Sequence, residues 1–169
     1  MHTRRDLAII ARQEAEKGYH GNIPGQVINI EPLIEPFPPM PIEQWDGLWC
    51  AAFVHYCCNL SGFSIPVRPN DTPCTMAGCI AWEKWAIADS RVDYIPGDMP
   101  EFVPEAGDIV LFNCVFENKP HDHIGIVLNA TPYELITAEG NVENVSVVIH
   151  RKRDNHIRAY IRLPDGFIY

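Results

Sequence analysis

Apolar positions follow a helical rhythm in the first half of the chain and an alternating one in the second. Over residues 5–17, Leu7, Ile10, Ala11 and Glu14 keep helical spacing and Gly18 supplies a stop, which predicts an amphipathic helix. A second helix is expected over 49–60, closed by Ser61 and Gly62, with Asp46 or Gly47 as its cap. A third, over 75–88, carries Trp82 and Trp85, and aromatic residues at such spacing are more often core than groove lining. Between Gly21 and Pro41 the chain is rich in proline. Apolar residues alternate through it, so it reads as an extended loop anchored on the core. After Pro104 the pattern turns to strands, at 108–112, 123–128, 134–139, 142–150 and 157–163. Helices first and an antiparallel sheet afterwards predict an α+β fold, with residues 1–169 as a single domain.

Composition narrows the picture. Of the 169 residues 47% are hydrophobic and 21% charged, as in a globular protein, and 15 prolines with 11 glycines argue against a pure helix bundle. A formal charge of -9 repels nucleic acid and anionic lipid, so neither is an expected partner, whereas a polymer recognised through its peptide part stays open. Six cysteines at irregular spacing, two of them adjacent at Cys57 and Cys58, do not form a disulfide framework. No C-x-x-C pair supports a structural zinc. Free thiols in a reducing compartment are expected. Arg4-Arg5 superficially resembles a twin-arginine signal, but the apolar run that follows ends at Ala11, shorter than the roughly 7–15 residues of an export signal. The chain is therefore expected in the cytoplasm as synthesised, reaching a cell wall only by lysis or a dedicated secretion system.

One cysteine stands where chemistry favours it. Cys50 falls in the first turn of a predicted helix, where free N–H groups and the helix dipole stabilise a thiolate, the reactive form. Cys57 and Cys58 lie deeper in that helix and read as packing, while Cys74, Cys79 and Cys114 have no distinguishing context. A nucleophilic thiol needs a base, and the base an orienting partner. If the 129–133 turn closes symmetrically about Thr131, His123 stands opposite Glu139 on one sheet face, with Ile124, Ile126, Leu128, Ile136 and Ala138 on the other. Asn141 lies two residues further along the same face and is an alternative orienting group. His121 is a rival base. His123 is preferred because Gly125 follows it and leaves room for a close approach.

Four segments in order, Trp49-Cys50-Ala51-Ala52-Phe53-Val54, Gly107-Asp108-Ile109-Val110-Leu111-Phe112, His123-Ile124-Gly125-Ile126-Val127 and Glu139-Gly140-Asn141, resemble the motifs of the cysteine, histidine-dependent amidohydrolase/peptidase (CHAP) family. The resemblance spans about residues 45–163. It implies a papain-like fold and a bacterial, endolysin-like hydrolase of peptidoglycan. The bond cut would be the amide joining muramic acid to L-Ala, or one within the stem or cross-bridge peptide. It implies Cys50 as nucleophile, His123 as base, and Glu139 with Asn141 as orienting groups, with no cofactor or metal. Gln44 stands six residues before the cysteine, the papain-like spacing for an oxyanion donor, and with Trp49 is assigned to substrate binding. Two other classes compete: a catalytically silent binding module for a wall peptide or protein partner, and a Cys/His metal protein.

Overall fold

The computed structural model describes residues 1–169 apart from the side chain of Asp71. Helix α1, Arg4–Ala15, starts in a capping box: the Thr3 hydroxyl accepts from the Asp6 N–H, and the Asp6 carboxylate accepts the Thr3 N–H at 2.8 Å. Its buried stripe is Leu7, Ala8, Ala11, Glu14 and Ala15, and Gly18 at φ 71° lets the chain turn away. The proline-rich stretch contains one short helix, α2, Glu31–Ile34, and is held to the core by Ile30, Leu33 and Phe37.

Helix α3, Cys50–Leu60, begins where the pattern predicts, yet neither expected cap serves it. Trp49 is the N-cap residue, with no side-chain bond to the helix, and Asp46 instead accepts hydrogen bonds from Asn22 and Asn144. Helix α4, Cys79–Ala88, starts four residues later than predicted. Gly78 precedes it, and a side chain there would meet Cys74 Sγ at 2.8 Å. Trp82 and Trp85 are wholly buried, and the Trp82 indole donates to the Met76 carbonyl, so both are core residues.

Six strands follow: β1, Asp93–Pro96; β2, Ile109–Phe112; β3, His123–Ala130; β4, Glu134–Val142; β5, Val145–Lys152; and β6, Ile157–Arg162. They form one antiparallel sheet in the order β1-β6-β2-β3-β4-β5, so the fold is α+β. β1 went unforeseen because its four residues show little burial contrast. On one face Ile109, Leu111, Ile124, Ile126 and Ala138 join the residues of α1, α3 and α4 in the main core. On the other, Val110, Phe112, Val127, Leu135, Ile157 and Tyr160 form a second apolar cluster. α3 lies unusually close to β4, since a Cβ at Gly140 would stand 2.5 Å from Phe53 Cβ. That contact sets the start of α3 against the sheet. Among the described residues no helix is long and apolar enough to cross a membrane.

Candidate active site

The β3–β4 hairpin differs in register from the symmetric closure expected of it. Ile126 pairs with Ala138, where the expected register would pair it with Ile136, and the phase shifts again between Val127 and Asn129. The slip is two residues at the site, so the parity of the pleat survives and His123 and Glu139 keep a common face. Gly125 now stands beside Glu139, and a Cβ there would lie 2.8 Å from Glu139 Cγ. The room attributed to a close approach near the thiol is room for this carboxylate. Glu139 passes over the glycine and meets His123 Nε2 at 2.7 Å.

Both groups are sealed from water, His123 at 1% exposure and Glu139 at 0%. Every oxygen of the buried carboxylate is used. Arg151 donates from Nε to Oε1 at 3.0 Å and from Nη2 to Oε2 at 2.7 Å, and Thr137 Oγ1 donates to Oε1 at 2.6 Å. Burial alone would raise the Glu139 pKa. Hydrogen bonds from His123 and Arg151 outweigh it and hold the carboxyl at about 2. Thr137 and Arg151 were missed in the sequence. Thr137 was legible in principle, as the same-face neighbour two residues from Glu139, whereas Arg151 reaches the carboxylate diagonally from β5.

The imidazole is clamped on its other sides. Phe112, its cross-strand partner, stacks at a centroid distance of 5.9 Å, and Phe116 meets it edge-on at 4.6 Å. With Nε2 committed to Glu139, Nδ1 is the nitrogen left for the Cys50 thiol, and thiol and ring each favour the charged form of the other. Burial depresses the charged form of His123. The bonds to Cys50 and Glu139 overcome this and lift its pKa to about 9.

Cys50 is the first residue of α3 and is 8% exposed. No side chain caps the helix, so its first-turn N–H groups remain free, and that of Ala51 bonds the sulfur. The thiol is held below its ordinary range, first by a hydrogen bond from Cys79, then by His123 and the Ala51 N–H, all against the cost of burial. Cys79, set aside in the sequence, has its sulfur 3.7 Å from that of Cys50. Starting the helix at residue 75 hid it, because Cys79 is the first residue of α4 and not an interior one. Cys57 and Cys58 are fully buried with pKa values raised by burial, in keeping with packing roles.

The remaining candidates fall outside this group. Asn141 takes a left-handed backbone at φ 62° where the β4–β5 ladder shifts register, and no hydrogen bond joins its side chain to His123. Trp49 is 0% exposed, and its indole donates to Asn144 Oδ1 at 3.0 Å, so it anchors the entry to α3 and offers no surface to a substrate. Gln44 lies exposed on the 3-10 turn Ile42–Trp45, anchored by the buried Trp45. His121 pairs through Nε2 with Glu83, and His123 is the histidine that acts on the Cys50 thiol. Among the described residues, no three His, Cys, Asp or Glu side chains are grouped to hold a metal ion.

This arrangement can hold a thiolate–imidazolium pair at neutral pH, backed by a fixed carboxylate and by free helix N–H groups. No protein-family model matches the chain, and no curated protein matches it.

Proposed function

We propose that the chain is a papain-like cysteine hydrolase of the CHAP type that cleaves an amide bond in peptidoglycan. The observation that carries this reading is the order Cys50–His123–Glu139. A helix-start thiol lies beside an imidazole whose far nitrogen is 2.7 Å from a buried carboxylate. The Cys50 thiolate attacks the scissile carbonyl, and the backbone N–H at the start of α3 stabilises the oxyanion. The His123 imidazolium gives its proton to the leaving amine. Water, deprotonated by the now neutral imidazole, then releases the acyl group. Glu139 stays ionised throughout and fixes the tautomer that presents Nδ1 to the sulfur. The peptidoglycan substrate rests on the four motif segments alone.

Incubating wild-type and Cys50→Ser protein with peptidoglycan sacculi, followed by mass spectrometry of released fragments, tests the reading. Fragments from the wild type only are expected, and their new termini distinguish amidase from endopeptidase. Equal release by both proteins removes Cys50 from the mechanism. No release by either, with Cys50 still selectively alkylated, retains the nucleophile and discards the substrate. Release by neither and no selective alkylation would favour a binding module on the same fold.

A further inference from the structure

Two helices begin at this site. α3 opens with Cys50 and α4 with Cys79, neither helix carries a side-chain cap, and the two sulfurs are 3.7 Å apart. We infer that Cys79 is a further catalytic residue, whose thiol donates a hydrogen bond to Cys50 Sγ and holds the nucleophile as a thiolate. The inference rests on Cys50 being the nucleophile.

The 3.7 Å separation would let either sulfur donate, and the charges around each decide the direction. His123, on β3, is positively charged beside Cys50, and the Ala51 N–H also bonds the Cys50 sulfur, so negative charge settles there. Around Cys79 the charge environment is opposed: Asp122, in the segment entering β3, and the charge on Cys50 both disfavour a second thiolate, while the Lys119 cation that also acts on it is solvent-exposed and paired with Glu117. Cys79 is 7% exposed, and its thiol is raised well above the ordinary range, first by its bond to Cys50 and then by burial. One sulfur therefore keeps its proton and points it at the other, as paired thiols do where one is reactive and its neighbour is not. His123 and the Ala51 N–H still leave acceptor capacity on a buried thiolate, and a further donor lowers the cost of burying it. The supply of this donor from another helix also makes the nucleophile sensitive to how α4 is seated. The Trp82 indole bond to Met76 and the Met76 N–H bond to Val67 tie that seat down.

The test reads thiol chemistry and needs no substrate. The rate of Cys50 alkylation by iodoacetamide is followed across pH by peptide mass mapping, which separates it from the five other thiols, in wild type, Cys79→Ala, Cys79→Val and Cys79→Ser, each checked for folding by circular dichroism. In wild type the midpoint is expected well below the ordinary thiol range. The alanine and valine proteins should move it up by at least about one unit, a tenfold loss of thiolate at lower pH. The serine protein, which retains a donor, should keep most of the shift. Valine leaves no cavity at the thiol's position, so it keeps the test alive where alanine fails to fold. A midpoint unchanged in either folded apolar variant overturns the role of Cys79 and leaves the proposed hydrolase intact. Failure of wild-type Cys50 to alkylate selectively overturns both.

Discussion

The molecule contains two clusters of almost the same composition, built around histidines two residues apart. In one, His123 Nε2 meets Glu139, Arg151 grips both carboxylate oxygens, and a Thr137 hydroxyl completes the set. In the other, His121 Nε2 meets Glu83, Arg158 grips both oxygens at 2.6 and 3.1 Å, and the Tyr94 hydroxyl donates at 2.7 Å. Both carboxyls are held at about 2, each against burial and by its hydrogen bonds. The difference lies in what surrounds them. The Glu83 cluster joins α4, β1, β6 and the segment before β3, four separate parts of the chain, and its histidine side chain is 14% exposed. The Glu139 cluster lies on three consecutive strands, its histidine is walled by two aromatic rings, and that histidine acts on a thiol at a helix start. A histidine, a carboxylate and an arginine thus make a clasp in one place and, in the proposed mechanism, a catalytic base in the other. The thiol opposite the second nitrogen decides which.

The sharpest way to break this comparison is to remove each histidine in turn. His123→Ala should lower kcat/KM by at least about 10²-fold, the lower range for loss of a positioned acid–base group. His121→Ala should leave turnover within a few-fold of wild type and lower thermal stability instead, because Glu83 loses a partner while its arginine stays. Steady-state assays on sacculi and a thermal melt of each protein check the pair. Reversed results would make His121 the base and the His123 cluster the clasp.

The carboxylates extend the contrast to pH. Glu139→Gln removes the charge that helps hold His123 at about 9. The imidazolium is then lost at lower pH, so the alkaline limb of the rate profile should move down from near 9 toward the ordinary histidine value of about 6.5. A fall in rate at neutral pH, on the order of tenfold, should accompany it. Glu83→Gln should leave that limb in place. The sign for stability agrees: a raised His123 pKa stabilises the fold below the ordinary histidine value, and that contribution is lost as pH rises through about 9. The depressed Glu139 pKa stabilises the fold above the ordinary carboxyl value, and that is lost as pH falls toward about 2. An alkaline limb unmoved in Glu139→Gln would show that the carboxylate does not set the charge of His123.

Much of the Glu139 cluster was legible in the sequence and almost none of the Glu83 cluster was. Strand periodicity put His123 and Glu139 on one face because parity survives a two-residue slip, so an error in register did no damage. Helix-start chemistry singled out Cys50 for the same local reason. Cys79 obeys that rule equally, but its helix boundary was placed four residues early, and a boundary error erases a signal that depends on position within the first turn. Trp49 is assigned to substrate binding from its place in the motif, whereas its burial is a property of how α3 meets β4 at Gly140. The Glu83 cluster joins residues separated by up to 75 positions, and no periodicity connects them. Local pattern reports faces and termini; contacts between distant elements come only with the packed fold.

Gly125 offers a smaller and more selective probe. The His121–Glu83 pair needs no glycine, whereas Glu139 reaches His123 only by crossing a residue without a side chain. In Gly125→Ala the new methyl carbon would stand 2.8 Å from Glu139 Cγ and 3.3 Å from the Ala138 carbonyl oxygen. The backbone cannot yield cheaply in the middle of a paired strand, so the Glu139 side chain must move, and with it the bond to Nε2. Overpacking of this kind costs about 1–3 kcal/mol of stability. Denaturant titration should show that loss, and the alkaline limb of activity should shift in the same direction as in Glu139→Gln but by less, since the charge remains nearby. A stability loss with an unmoved limb would mean that the carboxylate finds another route to the imidazole and that Gly125 serves packing alone.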